Sequence, residues 1–211
     1  MASINTNMSA TLAVSNLNKT TDEMTSVLTA MSSGKSINSA SDDAAGEQAG
    51  DNAEVATAIL ETADGGLAEI ADILERMYEL ASEASSGSVT DTERAYLDDE
   101  YGQLSSQIDS IVASTTYFDT ALLDGAYDES FVVSADSTVA AISVTLAQDY
   151  DAAGLGIAAD VTSSTNATTA LGEIEAAIEL VSSGRANIGA LESRFDYAAS
   201  NIETAQTNLE A

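Results

Sequence analysis

The sequence predicts a mainly α-helical protein, an elongated rod of long antiparallel helices with a small β-containing insertion in the middle of the chain. Three observations predict this coiled-coil-like bundle. The 211 residues include no proline, so helices can continue for many turns. Only 5% of residues are aromatic, which suits a thin bundle better than a thick core. Apolar residues follow helical spacing near both ends of the chain but not in its middle.

The composition also excludes several classes of function. The chain has no cysteine and no histidine, which removes disulfides, thiolate or imidazole metal ligands, and nucleophiles paired with histidine. Single carboxylate pairs are uninformative among 35 Asp and Glu residues. We therefore predict no enzyme activity, no catalytic or metal site and no cofactor.

The net charge of −29, from 6 basic and 35 acidic residues, excludes a general phosphate-binding surface. Nucleic acid is therefore not expected as a partner. No apolar run is long enough to span a bilayer, so no membrane insertion is expected. Copies of so acidic a chain repel one another at low salt, and an assembly of them would need cations to screen this charge.

The first segment, residues 1–42, predicts an amphipathic helix followed by a turn. Apolar residues fall at helical spacing over residues 4–31. Gly34 interrupts the pattern, and the small and acidic residues after it are typical of a turn that leads into a new helix near Asp42 or Asp43.

The second segment, residues 43–126, predicts two helices that pack together. Leu67, Leu74 and Ala81 are seven residues apart, which is the spacing of a bundle seam. Residues 90–93 (TDTE) form a capping box for the second helix. The apolar positions of that helix alternate in steps of four and three: Leu97, Tyr101, Leu104, Ile108, Ile111, Thr115 and Phe118.

The third segment, residues 127–165, predicts a small insertion with β-strands. The run Phe131-Val132-Val133 and the alternation of Ile142, Val144 and Leu146 are typical of strands. The Ser/Thr-rich residues 162–169 resemble an exposed connection, because they have no hydrophobic period.

The last segment, residues 166–211, predicts one long helix with a regular heptad seam. Six successive heptads need a partner helix, so the two ends of the chain are expected to pair and the middle to form an outer knob. The seam consists of Ile174, Val181, Ile188, Phe195, Ile202 and Leu209.

Four motifs resemble those of the bacterial flagellin family. Residues 31–46 (MSSGKSINSASDDAAG) closely resemble the family's LSSGxRINSAxDDAAG. Residues 74–81 (LERMYELA) resemble LQRxRELA, and residues 116–125 (TYFDTALLDG) resemble TxFNGxxLLDG. Residues 185–195 (RANIGALESRF) resemble RAxLGAxxNRF. Residues 127–165 match no motif of the family, as expected for its variable, outward-facing part.

This resemblance implies a structural subunit that polymerises into the bacterial flagellar filament for swimming motility. Residues 1–42 would lie in the filament core, residues 43–126 and 166–211 in a helical rod, and residues 127–165 on the outside. The implied partners are other copies of the chain, the flagellar export apparatus and a chaperone, and the filament cap and junction proteins. The implied location is extracellular, in the filament, after secretion through the export channel.

The family pattern continues beyond the last residue of this sequence with a core helix that pairs with the N-terminal helix. That helix is missing from the sequence. We therefore expect residues 4–31 to be ordered only within an assembly, because their apolar face lacks its usual partner.

The resemblance also assigns candidate contact residues. The family's contact surface for the vertebrate innate flagellin receptor maps onto Arg76, Leu80 and Glu100. Weakened recognition is expected, since Glu75 and Tyr78 replace the family's Gln and Arg. The alternative interpretation is that Arg76 only pairs with carboxylates on neighbouring helices.

Two further basic residues, Arg185 and Arg194, interrupt the hydrophobic pattern of the last helix. Structural ion pairs are the favoured interpretation, and contacts between protomers are the alternative.

Two other functions compete with a filament protein. A hook–filament junction protein resembles flagellin in its rod, but its turn motif typically carries prolines where residues 41–44 (SDDA) have none. An acidic calcium-binding surface adhesin is the second alternative, given Asp149 and Asp151, yet no complete calcium-loop spacing is present. The filament protein is therefore favoured.

Overall fold

The computed structural model describes residues 44–134 and 141–210, together with seven single positions near the N-terminus: Leu17, Thr20, Thr21, Met24, Thr25, Leu28 and Ser32. These seven positions are helical and exposed. The rest of the predicted N-terminal helix and turn, and its expected ordering in an assembly, lie outside the described residues.

Three long helices dominate the described part of the chain, and the predicted fold class is confirmed. Helix α1 spans Ala44–Ser85, α2 spans Asp91–Ser114, and α3 spans Ser164–Glu210. The 42 residues of α1 alone extend about 63 Å at 1.5 Å per residue. The rod is therefore several times longer than the roughly 10 Å diameter of one helix.

Helices α1 and α3 are antiparallel. The Ser164 hydroxyl at the start of α3 donates to the carbonyl of Ser85 at the end of α1. Their apolar seams face each other, and the residues that share this seam are all at most 2% exposed: Leu67, Ile70, Leu74, Met77, Ile174, Val181, Ile188 and Phe195. Alanines between them, such as Ala63 and Ala177, are fully buried and allow the helices to approach closely.

Helix α2 begins at the predicted capping box. The Thr90 hydroxyl accepts from the backbone N–H of Glu93, and the Glu93 carboxylate accepts from the backbone N–H of Thr90 at 2.8 Å. The helix ends earlier than the seam pattern predicted. Phe118 is not a seam residue: it is 88% exposed in a tight turn with a positive φ of 45°.

Two small antiparallel hairpins follow α2. Strand β1 (Thr116–Tyr117) pairs with β2 (Thr120–Ala121), and β3 (Tyr127–Phe131) pairs with β4 (Ile142–Leu146). The predicted alternation in β4 is confirmed, since its first, third and fifth side chains are buried. The strand predicted at Phe131-Val132-Val133 is wrong in position, because β3 begins at Tyr127 and ends at Phe131.

Two of the contacts between the insertion and the rod lie beside the second hairpin. The Asn52 side chain on α1 donates to the carbonyl of Val132 (2.9 Å), and the ring of Phe131 packs edge-on against Phe195 of α3 (centroids 5.9 Å apart). The predicted exposed connection over residues 162–169 is partly wrong, because α3 already begins at Ser164. Ser163 ends the connection, as its hydroxyl caps the new helix by accepting from the N–H of Asn166.

Candidate functional site

The described residues contain no set of three or more acidic side chains placed to hold a metal ion. Nor does any described helix combine the length and the apolar character that crossing a bilayer requires.

Arg76 and Glu100, two of the candidate receptor-contact residues, are in direct contact in the structure. Arg76 on α1 donates from Nε (3.0 Å) and Nη2 (2.7 Å) to Glu100 Oε1 on α2, and from Nη1 to Glu79 (2.8 Å). The hydrogen bonds that Arg76 donates to Glu79, which has the larger effect, and to Glu100 raise the pKa of its guanidinium. Both partners of the Arg76–Glu100 pair are about half exposed, so the pair is accessible from solvent.

Leu80 does not share the accessible surface of Arg76 and Glu100, and its assignment as a receptor contact stays a prediction. Its side chain is only 1% exposed, because the position shares the buried seam of α1 with Met77, Ala81 and Ala84. The motif shared with flagellins matches this position by residue type, but a motif does not show whether a side chain is buried. A receptor that binds the folded protomer cannot contact this side chain without a change in the rod.

The two basic residues of α3 differ in their surroundings. Arg185 donates to both carboxylate oxygens of Asp64 on α1, at 2.8 and 3.1 Å, and these bonds raise its pKa. Arg194 is exposed, and no acidic side chain among the described residues forms an ion pair with it. The ion pair proposed for Arg194 stays a prediction.

Arg94 is a structural residue that sequence reasoning missed. Its side chain is buried and donates to the carbonyls of Ala84 (2.8 Å) and Ser86 (2.9 Å) at the end of α1. A third bond reaches Asp91 at 3.2 Å. Because the last carbonyls of a helix lack intrahelical donors, Arg94 satisfies them and joins α1 to α2.

Carboxylates also attach the long loop before α3 to the helices. Asp109 on α2 accepts from the N–H of Ala152 (2.9 Å), and Asp98 accepts from that of Val161 (2.9 Å). Glu173 on α3 accepts from two successive N–H groups, those of Ala158 and Ala159, both at 2.8 Å. These side chains give the loop a fixed path over the rod.

Tyr101 lies close to two of these carboxylates. Its hydroxyl is buried and has no hydrogen-bond partner among the described residues. Burial, followed by the negative charges of Glu173 and Asp98, raises the pKa of Tyr101 to about 12. The phenol therefore stays neutral at physiological pH, which is consistent with a packing role.

Comparison with known proteins decides the family. The family model of the bacterial flagellin N-terminal helical region matches residues 4–128, and that of the C-terminal helical region matches residues 171–211. The chain belongs to the bacterial flagellin family. The motifs at residues 31–46, 74–81 and 116–125 fall inside the first match, and that at residues 185–195 falls inside the second.

Curated flagellins align with nearly the whole chain. The flagellin of Halalkalibacterium halodurans is 32% identical over 99% of this chain and 82% of its own length. The flagellin of Listeria monocytogenes is 32% identical over 94% of this chain and 80% of its own length. This flagellin is therefore a structural subunit of the bacterial flagellar filament, and the predicted filament function is confirmed.

Solved structures agree with this assignment. Bacillus cereus flagellin superposes with a TM-score of 0.66 and 28% identity, covering 72% of this chain and 88% of that one. A structure titled as a putative flagellar hook-associated protein from Vibrio parahaemolyticus superposes with a TM-score of 0.67 and 13% identity, covering 79% of this chain and 88% of that one. At this low identity, the similarity is evidence for the fold only. The junction-protein and adhesin alternatives are not favoured.

Proposed function

We propose that this flagellin leaves the cell unfolded through the flagellar export apparatus, aided by a chaperone, and polymerises outside with copies of itself. The observation that carries the proposal is the antiparallel pairing of two long helices, of which α1 lies within the first matched family region and most of α3 within the second. The composition supports export, since a chain without cysteine or proline forms no premature disulfides and has no slow prolyl isomerisation.

Each segment has a place in the proposed filament. Residues 1–42 form the filament core, residues 43–126 and 166–211 form the rod, and residues 127–165 face outward. The position of the insertion supports this arrangement, because its second hairpin contacts α1 near Asn52 and α3 at Phe195 rather than lying between the paired helices. The cap and junction proteins are the partners expected at the two ends of the filament.

The role of the subunit is mechanical, and we propose no enzymatic activity for it. The subunit functions through the contacts that its surfaces make, and most of its charged residues are acidic. Because acidic copies repel one another over roughly 10 Å at moderate ionic strength, we propose that dissolved cations screen the assembled filament.

The Arg76–Glu100 pair is proposed as the accessible part of the innate-receptor contact surface. Both side chains are accessible, and each is already held by the other on the free protomer. A receptor would therefore have to replace these bonds in order to bind either side chain, which is a cost that supports weakened recognition.

Expression in a flagellated bacterium that lacks its own flagellin tests the export proposal. We expect the chain in the culture medium and as filaments on the cells. The same strain with an inactivated export apparatus is the control, and there the chain should stay inside the cell. Retention of the chain in the strain with a working apparatus would contradict export by this route.

A further inference from the structure

A cleft between the two hairpins and α1 is lined by side chains that are rare in this chain. The chain has seven tyrosines, three phenylalanines and no tryptophan, and four of these ten rings line the cleft: Tyr117, Phe118, Tyr127 and Phe131. Ile59 on α1 and Glu129 on β3 also line it. Its volume is about 270 Å³, slightly below the roughly 300–1,000 Å³ of sites for drug-sized ligands. This aromatic cleft therefore suits a small molecule.

Strand β3 contributes two of the rings and the acidic residue from one face. Tyr127, Glu129 and Phe131 occupy alternate positions of the strand, and alternate side chains point to the same side of a sheet. Burial, followed by the charge of Glu129 and then by Tyr117, raises the pKa of Tyr127. The Glu129 carboxylate is therefore close enough to act electrostatically on the rings of the aromatic cleft.

Phe118 is held in water beside the cleft by an unfavourable backbone. Its side chain is 88% exposed, and its ring lies edge-on to that of Tyr117 with the centroids 4.8 Å apart. Phe118 and Asp119 are the two central residues of the first hairpin and have positive φ angles of 45° and 63°. Such turns favour Asn and Gly, because bulky side chains clash in the left-handed region. Backbone strain of this kind is concentrated at functional sites.

The chemistry of the aromatic cleft fits a cation. Aromatic faces attract positive charge, and among the described residues no basic side chain forms an ion pair with Glu129. A calcium ion takes about six to eight oxygen ligands, whereas Glu129 is the one acidic residue among the described side chains that line the cleft. An organic cation fits better, since its methyl groups can contact the rings while its charge faces the carboxylate.

We propose that the aromatic cleft is a binding site for a small, free organic cation that carries a methylated ammonium group. Tyr117 and Phe118 contact the methyl groups, and Glu129 supplies the opposite charge. Proteins generally recognise quaternary ammonium groups by this combination of rings. The net charge of −29 raises the local concentration of any cation around the chain, and the rings provide the selectivity. This inference goes beyond the filament function and does not depend on polymerisation.

Saturation-transfer NMR of choline in the presence of the purified chain tests the proposal, and the method applies to monomers and polymers alike. We expect saturable binding with a Kd on the order of 1–10 mM, the scale of a few exposed cation–π contacts and one ion pair. The neutral compound 3,3-dimethyl-1-butanol has the shape of choline without its charge. It should bind at least about fivefold more weakly.

Two exposed positions of the aromatic cleft have matched controls. Phe118→Leu keeps an apolar side chain but removes the ring, and it should raise the Kd about threefold to fivefold. Tyr96→Leu removes a ring that is 70% exposed on α2, outside the cleft, and should leave the Kd unchanged. Glu129→Gln should raise the Kd about fivefold, the effect of losing one exposed ion pair. Asp128→Asn removes the same charge from the neighbouring position, which does not line the cleft, and should raise the Kd less than about twofold.

Three results would overturn the proposal. The first is the absence of saturable choline binding up to about 100 mM, well above the expected Kd. The second is equal binding of the neutral compound, which would reduce the cleft to an apolar pocket. The third is an equal effect of Glu129→Gln and Asp128→Asn, which would show a general attraction of cations to an acidic protein.

Lipid vesicles distinguish a free cation from a lipid head group. Phosphatidylcholine carries the same trimethylammonium group next to a phosphate, and the carboxylates of Asp119 and Glu129 would repel that phosphate. We therefore expect no cosedimentation of the chain with phosphatidylcholine vesicles. Cosedimentation that Phe118→Leu abolished would overturn the assignment to a free solute.

Discussion

The guanidinium of Arg185 on α3 donates two hydrogen bonds, of 2.8 and 3.1 Å, to the carboxylate of Asp64 on α1, 121 residues earlier in the sequence. The bonds connect the two antiparallel helices near the middle of their contact. They therefore hold α1 and α3 in one register, in addition to the apolar seam between them.

We predict a modest coupling energy for this pair. In a double-mutant cycle with Arg185→Ala and Asp64→Ala, the coupling should be about 0.5–1 kcal/mol, because both side chains are partly exposed and water screens their attraction. Urea denaturation of the four chains measures it. A coupling near zero would mean that the seam alone sets the register.

Replacement of Arg94 by methionine should cost far more, about 3 kcal/mol of unfolding free energy. The substitution leaves the carbonyls of Ala84 and Ser86 without their charged donor at a buried junction. Thermal and urea denaturation measure the loss. Arg194→Met is the matched control on an exposed position, and an equal, small effect of both variants would refute the capping role of Arg94.

The adjacent glycines Gly65 and Gly66 should respond in opposite directions to alanine. A Cβ at Gly66 would lie 2.7 Å from Thr115 Oγ1 and 2.9 Å from Leu123 Cδ1, whereas nothing lies within 4 Å of one at Gly65. We expect Gly66→Ala to lower the free energy of unfolding by about 1–3 kcal/mol through overpacking. Gly65→Ala should raise it by about 0.5–1 kcal/mol through helix propensity. Stabilisation by both variants would show that the first hairpin does not pack tightly on α1.

Glu192 should destabilise the rod at neutral pH. Burial, followed by the charges of Asp64, Glu61 and Asp196, raises its pKa above the ordinary value of 4.5. A carboxyl with a raised pKa in the folded state favours folding while it is protonated, and this contribution is lost as the pH rises through that pKa.

Glu192→Gln should therefore stabilise the protein near pH 7 by about 0.5 kcal/mol, the scale of a like-charge pair four residues apart on a helix. The gain should vanish below pH 4.5, where the native carboxyl is protonated. Urea denaturation at several pH values measures it. Glu203→Gln on the exposed end of α3 is the control, and a gain that does not depend on pH would argue against this electrostatic origin.

Innate-receptor recognition should be weak, because Arg76 and Glu100 are paired with each other and Leu80 is buried. A reporter-cell assay should show a response well below that of a flagellin with the full family motif. Substituting Glu75→Gln and Tyr78→Arg should strengthen it. A full response of the unchanged chain at ordinary flagellin doses would contradict this prediction.

Several features of the fold follow directly from the sequence. The heptads that contain Leu67, Leu74 and Ile174 predicted the seam, because a spacing of seven places side chains on one face of a helix whatever surrounds it. The capping box of Thr90 and Glu93 was equally predictable, since its two bonds join residues only three apart.

Other features depend on which distant groups meet, and the sequence did not show them. The burial of Arg94 depends on where the last carbonyls of α1 lie relative to α2. The loop attachment by Glu173 depends on a backbone path that has no periodic pattern. Phe118 continues the apolar spacing of α2, so the helix was predicted to run past its true end. Periodicity does not detect the turn at Phe118, where φ is positive.

Electron microscopy of the purified chain across a range of salt concentrations tests the filament function most directly. We expect ordered filaments of flagellar width at high salt, and we expect them to dissociate as the salt is diluted and the acidic copies repel one another. Chains that remained monomeric at every salt concentration would contradict the conclusion that these residues form a self-assembling filament subunit.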